Sequence, residues 1–129
     1  MSFRVLIVDD SSAMRSFIRR TLEASGFEVG DYLEACDGIE ALELLDREWV
    51  DIILTDINMP RLNGEEFVRK LAENGITETL PIIVISTDAT TARMEHLREL
   101  GVRGYLIKPF TPEALREKIE QELEVNHAG

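Results

Sequence analysis

Short apolar runs alternate along the chain with longer segments whose apolar positions recur every three or four residues. The runs at residues 5–8, 52–55 and 82–85 are rich in β-branched side chains, which is typical of strands covered on both faces. Weaker runs at residues 30–36 and 105–107 have the same place in the alternation. The pattern therefore predicts five strands.

An amphipathic segment follows each predicted strand, and the spacing of its apolar residues predicts a helix. Ser11 or Ser12 can cap the first helix and Gly26 ends it, while Thr111 followed by Pro112 opens the last one. The residues that recur at helical spacing in the five helices are Met14, Phe17, Ile18, Thr21 and Leu22; Ala41, Leu42, Leu45 and Trp49; Phe67, Val68 and Leu71; Met94, Leu97 and Leu100; and Leu115, Ile119 and Leu123.

Strict alternation of strands and helices predicts a parallel sheet with helices on both faces, because the chain must cross back over the sheet after each strand. We therefore predict a doubly wound α/β fold. The 129 residues fit one domain, at residues 1–125, and no linker or repeat interrupts it. Residues 126–129 are predicted to be a disordered tail.

Composition excludes several classes of function. The net charge of −11 disfavours nucleic acid as a partner, because a phosphate backbone would repel the chain. Cys36 is the only cysteine, so an internal disulfide and a cysteine-based metal site are excluded. No apolar run approaches the roughly 20 residues that span a bilayer, and the first run meets charged residues too soon for a secretory signal. We therefore expect a cytoplasmic protein without a membrane partner.

Polar residues follow four of the predicted strands directly. Asp9 and Asp10 close the first, Asp56 the third, Ser86 the fourth and Lys108 the fifth. Any one of them also suits a turn or a helix cap. Because the carboxyl ends of parallel strands meet at one edge of the sheet, their joint placement instead predicts a single site.

The residue types at this edge suit phosphoryl transfer. Crowded carboxylates repel one another, so a cation is expected among them, and oxygen ligands suit Mg2+. Lys108 adds a positive charge and Ser86 a hydroxyl donor for a phosphoryl oxygen. Asp56 is the candidate nucleophile. The predicted function is a phosphorylation switch.

Four segments carry a family resemblance, namely residues 5–10 (VLIVDD), 55–60 (TDINMP), 63–64 (NG) and 104–110 (GYLIKPF). Their sequence and strand context resemble the signature of response-regulator receiver domains, most closely the stand-alone, CheY-like chemotaxis receivers. The resemblance covers nearly the whole chain. It implies a flavodoxin-like sheet with strand order 2-1-3-4-5.

The resemblance also implies a role for each residue of the site. Asp56 would accept a phosphoryl group from a phosphohistidine or from a small acyl phosphate. Asp10, Asp56 and the main-chain carbonyl of Asn58 would bind Mg2+ directly, and Asp9 would act mostly through water. Lys108 would hold a phosphoryl oxygen.

Signal output and lifetime are implied in the same way. Ser86 and Tyr105 resemble the family's switch pair, in which the new phosphoryl group draws the hydroxyl inward and the aromatic ring follows. That motion would change the surface of the fourth helix, fifth strand and fifth helix. Asn58 and Asp88 would flank the path of hydrolytic water. The bond between Lys108 and Pro109 is often cis in the family.

The implied partners are a histidine kinase or phosphotransfer domain and a downstream target such as a flagellar switch component. The chain would then be a signalling protein rather than an enzyme, although it would assist its own phosphorylation and dephosphorylation. Arg15, Arg19 and Arg20 on the first helix are typical of a solvated face, and in the family this helix contributes to docking of the partner's histidine-bearing domain.

The same architecture also hosts other functions. A flavin carrier would require a phosphate cradle after the first strand, where Asp9 and Asp10 would repel it. A phosphohydrolase with an aspartyl nucleophile would require a further acid-base residue and a cap for which the chain has no insertion. Two closer alternatives are a receiver domain belonging to a larger response regulator or hybrid kinase, and a receiver-like scaffold that is not phosphorylated.

Overall fold

The computed structural model describes residues 3–88 and 90–128, with side-chain environments through Leu123. Its strands are β1 (Phe3–Val8), β2 (Val29–Ala35), β3 (Ile52–Thr55), β4 (Ile82–Ser86) and β5 (Gly104–Ile107). Its helices are α1 (Ser12–Ser25), α2 (Gly38–Leu45), α3 (Gly64–Glu73), α4 (Thr91–Leu100) and α5 (Pro112–Ala128), and a short 3-10 helix covers Ile76–Glu78. Within this described part of the chain, no helix has the length and apolar composition that crossing a membrane requires.

The strands form one parallel sheet in the order β2-β1-β3-β4-β5. This confirms both the predicted fold class and the strand order implied by the family resemblance. At the carboxyl edge, Val8 is in register with Ala35 on one side and Thr55 on the other. Ser86 is in register with Ile107 at the same edge. The strand order reverses between β1 and β3, so the loops after these two strands lie side by side.

Two apolar clusters cover the two faces of the sheet, because alternate residues of each strand point to opposite sides. Helices α1 and α5 pack on one face, where Ile18 and Ile119 are buried against Val5 and Ile7. Helices α2, α3 and α4 pack on the other face through residues such as Phe67. Both faces are covered, as the apolar strand pattern predicts.

The predicted extension of the second helix to Trp49 is wrong. Helix α2 ends at Leu45, and the side chain of Trp49 is 64% exposed instead of belonging to the apolar stripe. The guanidinium of Arg4 lies over the indole ring, 4.7 Å from its centroid, and donates a hydrogen bond of 2.9 Å to the Trp49 carbonyl. These contacts with β1 hold the residue in the loop before β3.

The last helix continues further than the sequence pattern indicates. Helix α5 is assigned through Ala128, whereas residues 126–129 are predicted to be a tail. No proline or glycine stands between Leu123 and Ala128 to end the helix, which accounts for the difference in backbone assignment. Gly129 lies outside the described residues.

Candidate functional site

Three carboxylates meet at the carboxyl edge of the sheet. Asp9, Asp10 and Asp56 each offer an oxygen, and these oxygens all lie within 4.8 Å of one another. Hydrogen bonds extend the ladder of the sheet by one residue on both loops: the Asp9 N–H donates to Ala35 O at 3.0 Å, and the Asp56 N–H donates to Val8 O at 2.9 Å. The sheet therefore holds the backbone from which two of the carboxylates project.

The cluster carries more negative than positive charge. Asp9 is only 3% exposed, and burial raises the pKa of its carboxyl group, with the negative charges of Asp56 and Asp10 adding to the effect. A hydrogen bond of 2.9 Å from the Ser11 N–H and the ammonium of Lys108, 3.9 Å from Asp9 Oδ2, lower the same pKa. An all-oxygen donor set with this excess of negative charge fits a hard divalent cation such as Mg2+.

Asp56 is half-buried and its neighbours approach it closely. Its Oδ1 accepts a hydrogen bond of 2.7 Å from the N–H of Ile57. The Gly64 N–H donates to the Ile57 carbonyl at 2.8 Å, so the start of α3 lies directly on the loop that carries Asp56. A Cβ on Gly64 would stand 2.2 Å from the Asp56 main-chain oxygen. The sequence marks Gly64 as a turn residue; its contact with Asp56 is visible only in three dimensions.

Ser86 and Lys108 reach the same edge from β4 and β5. The Lys108 N–H donates to the Ser86 carbonyl at 2.8 Å, which aligns the ends of the two strands. The side chain of Ser86 is buried, and its hydroxyl accepts a hydrogen bond of 3.1 Å from the Asp88 N–H. The peptide bond between Lys108 and Pro109 is cis, as the family resemblance implies.

Tyr105 lies beside Ser86. Its hydroxyl donates a hydrogen bond of 2.7 Å to the main-chain carbonyl of Asp88. Burial raises the pKa of the phenol. The two residues of the predicted switch pair therefore both bond to the main chain of Asp88, just before the start of α4.

The two residues expected to flank hydrolytic water have different surroundings. Asn58 is exposed. The carboxylate of Asp88 accepts hydrogen bonds from both the Thr90 N–H, at 2.9 Å, and the Thr90 hydroxyl, and it lies 3.8 Å from Arg93 Nε. The bonds from Thr90 hold the pKa of Asp88 below its usual range. Asp88 is thus engaged with the start of α4.

Arg15 does not belong to the solvated face that the sequence predicts for it. Its side chain is 17% exposed, against 47% for Arg19 one turn further along α1. Arg15 Nη1 donates a hydrogen bond of 2.6 Å to the main-chain carbonyl of Asp9, and its Nε donates to Glu34 at 2.8 Å. The charge pattern of α1 gives no sign of this difference, because both arginines stand on the same helix among other polar residues.

A second contact that the sequence does not predict connects two loops of the site. Arg61 has a positive φ of 61°, and its Nε donates a hydrogen bond of 2.6 Å to Asp37. Asp37 is buried and caps α2 by accepting from the Glu40 N–H at 2.9 Å. The bond from Arg61 is the main reason that the pKa of Asp37 is lowered. This pair ties the loop after Asp56 to the start of α2.

Residues 5–120 match the response regulator receiver domain. The chain belongs to this family. Chemotaxis protein CheY1 of Helicobacter pylori is 42% identical over 124 residues, which are 95% of this chain and 98% of that protein.

Solved receiver structures have the same architecture. The chemotaxis response regulator CheY4 of Vibrio cholerae is 32% identical with a TM-score of 0.81, covering 95% of this chain and 99% of that one. The receiver domain of the sensor histidine kinase PA1611 from Pseudomonas aeruginosa is 25% identical with a TM-score of 0.81, covering 96% and 99%. That structure is described as having a magnesium ion coordinated in its active-site cleft.

This protein is a CheY-type receiver domain, and its function is two-component phosphoacceptor signalling. Receivers of this type are signalling proteins rather than conventional enzymes, and they interact with histidine kinases and with downstream targets. The match excludes the flavin carrier and the phosphohydrolase, and it does not favour the non-phosphorylated scaffold.

Proposed function

We propose that Asp56 accepts the phosphoryl group in this receiver. The observation that carries the proposal is the cluster of Asp9, Asp10 and Asp56 carboxylate oxygens within 4.8 Å. The Lys108 ammonium, 3.9 Å from Asp9 Oδ2, adds a positive charge that faces the carboxylates. Asp56 is half-buried on the loop between β3 and α3. This loop lies beside the point where the strand order reverses, and a donor can reach Asp56 there from solvent.

The transfer forms one bond and breaks one. A carboxylate oxygen of Asp56 attacks the phosphorus of a phosphohistidine, and the bond between phosphorus and the imidazole nitrogen breaks with its electron pair left on the nitrogen. Asp56 Oδ1 accepts a hydrogen bond from the Ile57 N–H, which fixes the orientation of the carboxylate for this attack. Lys108 stabilises the negative charge on the equatorial phosphoryl oxygens.

The acidic cluster would hold Mg2+. Asp10 and Asp56 would be direct ligands together with the main-chain carbonyl of Asn58, and the buried Asp9 would act mostly through water. When bound, the ion supplies countercharge for the transferring phosphoryl group. The raised pKa of Asp9 and the magnesium ion described for the Pseudomonas aeruginosa receiver domain support this assignment.

Ser86 and Tyr105 would pass the signal from the phosphorylated site to α4, β5 and α5. A phosphoryl oxygen on Asp56 draws the Ser86 hydroxyl towards it, which removes its hydrogen bond with the Asp88 N–H. Tyr105 already holds the Asp88 carbonyl, so phosphorylation stabilises an arrangement of the ring rather than creating a new contact. The start of α4 is the part of the structure that responds to phosphorylation.

Asn58 and Asp88 would tune the lifetime of the signal by orienting a water molecule for hydrolysis. The exposure of Asn58 supports access to such a water. Asp88 would first exchange its hydrogen bonds to Thr90 for the water, which links self-dephosphorylation to the start of α4. The donor is a histidine kinase or a phosphotransfer domain. The chemotaxis relatives support a flagellar switch component as the target.

Incubation with acetyl phosphate and Mg2+, followed by intact-mass measurement and peptide mapping, tests the proposal. We expect one phosphoryl adduct on the peptide containing Asp56, lost on chelation and in Asp56→Asn. Asp46→Asn is the matched control, since Asp46 is an exposed residue at the end of α2. An adduct that persists in Asp56→Asn, or no adduct at all, would refute the assignment.

A further inference from the structure

We propose that Arg15 is a positioning residue that holds the acidic loop after β1 in the geometry that receives a divalent cation. The inference rests on the proposed metal site at Asp9, Asp10 and Asp56. Arg15 acts through the main-chain carbonyl of Asp9, and Glu34 anchors the guanidinium from the neighbouring strand.

The guanidinium connects three elements. Arg15 on α1 donates from Nη1 to the Asp9 carbonyl at the end of β1, at 2.6 Å. It donates from Nε to Glu34 Oε1 on β2, at 2.8 Å. Two donors of a planar, rigid fork are thereby fixed at the same time, which a flexible point charge could not achieve. The side chain is 17% exposed, so these bonds are largely shielded from competing water.

The N–H, the carbonyl and Oδ1 of Asp9 are each engaged from a different direction. Its N–H donates to Ala35 O, its Oδ1 accepts from the Ser11 N–H, and its carbonyl accepts from Arg15. The last of these bonds orients the peptide plane between Asp9 and Asp10. That plane sets the direction in which the exposed Asp10 side chain leaves the backbone. Arg15 thus pre-orients a carboxylate that would otherwise be ordered only when the cation binds.

Electrostatics alone predicts the opposite effect. Arg15 is a positive charge next to the acidic cluster, so its removal should strengthen cation binding if charge were its only contribution. If Arg15 positions the loop, its removal should weaken binding. The direction of the change in affinity therefore separates the two roles, whatever the size of the change.

Arg19 provides a matched control on the same helix. Its Nη1 donates to Oε2 of the same Glu34 at 3.2 Å, and its remaining described contacts are with Glu23 and the ring of Tyr32. Arg19→Gln removes the same unit charge and a bond to the same carboxylate, while the bond between Arg15 and Asp9 stays in place. Its effect measures the electrostatic contribution by itself.

Calorimetric titration of the full chain with Mg2+, without any phosphoryl donor, measures the affinity directly. We expect Arg15→Gln to weaken Mg2+ binding by about tenfold, the size of effect seen when partners of metal ligands are removed. Arg15→Lys keeps the charge but not the planar fork, so it should also weaken binding. Arg19→Gln should leave the affinity unchanged or slightly higher.

Amide hydrogen exchange on the metal-free proteins adds a readout that does not involve the cation. The Asp10 and Ser11 amides should exchange faster in Arg15→Gln than in Arg19→Gln. If Arg15→Gln does not fold, Arg15→Lys carries the test, because charge alone predicts no change for it. Equal or tighter Mg2+ binding by the Arg15 variants would overturn the positioning role alone. Failure of the unsubstituted protein to bind Mg2+ would overturn the proposed metal site and this inference with it.

Discussion

The main-chain oxygen of Asp56 lies 2.2 Å from the position that a Cβ on Gly64 would occupy. The same hypothetical atom would lie 2.7 Å from Ile57 Cα, so both of its nearest neighbours are backbone atoms of the loop after β3. Backbone cannot rotate away as a flexible side chain does. The glycine at the start of α3 is therefore what allows that helix to pack against the loop of the proposed phosphoacceptor.

Gly64→Ala should both destabilise the protein and slow its phosphorylation. Overpacking of this kind costs about 1–3 kcal/mol of unfolding free energy, and relief of the clash would displace the backbone that carries Asp56. Urea denaturation and the rate of adduct formation with acetyl phosphate measure the two effects. Gly75→Ala is the control: φ at Gly75 is +74° with no atom within 4 Å, so only backbone strain is added. A slower rate in both variants would contradict the specific role of Gly64.

Tyr105→Phe should uncouple α4 from the phosphorylated site without preventing phosphorylation. The substitution removes the hydroxyl that donates to the Asp88 carbonyl at 2.7 Å, a bond whose net contribution to stability is about 1 kcal/mol. Amide chemical shifts of α4, compared with and without a phosphoryl mimic, report the coupling. We expect a smaller response in the variant at equal occupancy of the site.

Tyr32→Phe serves as the control for that experiment. The Tyr32 hydroxyl donates to the Arg19 carbonyl across 3.5 Å, a much weaker bond on the opposite side of the sheet from α4. Its removal should leave the α4 response intact. An undiminished response in Tyr105→Phe would remove Tyr105 from the signalling route.

The ion pair between Asp37 and Arg61 should make stability depend on pH. Hydrogen bonds from Arg61 and the Glu40 N–H lower the pKa of Asp37, so its stabilising contribution is present above the unfolded pKa of about 3.9 and is lost as pH falls through the lower folded value. Asp37→Asn should therefore be less stable than the unsubstituted protein at pH 7. The difference should shrink below about pH 4.

Urea denaturation of the two proteins between pH 7 and pH 3 measures this difference. Arg61→Gln is the matched variant, because it leaves the Asp37 cap on α2 but removes the partner that contributes most to the lowered pKa. Its stability should vary less with pH in the same range. A difference between Asp37→Asn and the unsubstituted protein that is constant with pH would contradict this explanation.

Lys108→Gln should slow phosphoryl transfer far more than it weakens metal binding. Removal of one preorganised donor to a developing charge typically lowers a rate by about 10²–10³-fold. Loss of a positive charge 3.9 Å from Asp9 should, if anything, strengthen binding of a cation. The rate of adduct formation with acetyl phosphate measures the effect on phosphoryl transfer, and calorimetric titration with Mg2+ measures the effect on metal affinity. Lys118→Gln, on α5 beside Gly104, provides the charge-matched control.

Much of the site follows from the sequence because strand ends in a parallel sheet share one edge. The apolar runs before Asp9 and Asp56 need only local pattern to be recognised as strands, and the topology then brings the two residues together. Trp49 shows where the local pattern fails. Its spacing suits the stripe of α2, but its contacts with Arg4, far away in the sequence, keep it in a loop.

The sequence by itself determined the fold class, the edge at which the site lies and the residue types gathered there, because these depend on periodicity and on strand ends. Only the tertiary structure decided which charged side chains act on that edge. Arg15 and Arg19 have the same chemistry on the same helix, yet only Arg15 reaches the Asp9 carbonyl. The direction of a long side chain depends on partners from other strands, here Glu34, and one-dimensional spacing does not encode that direction.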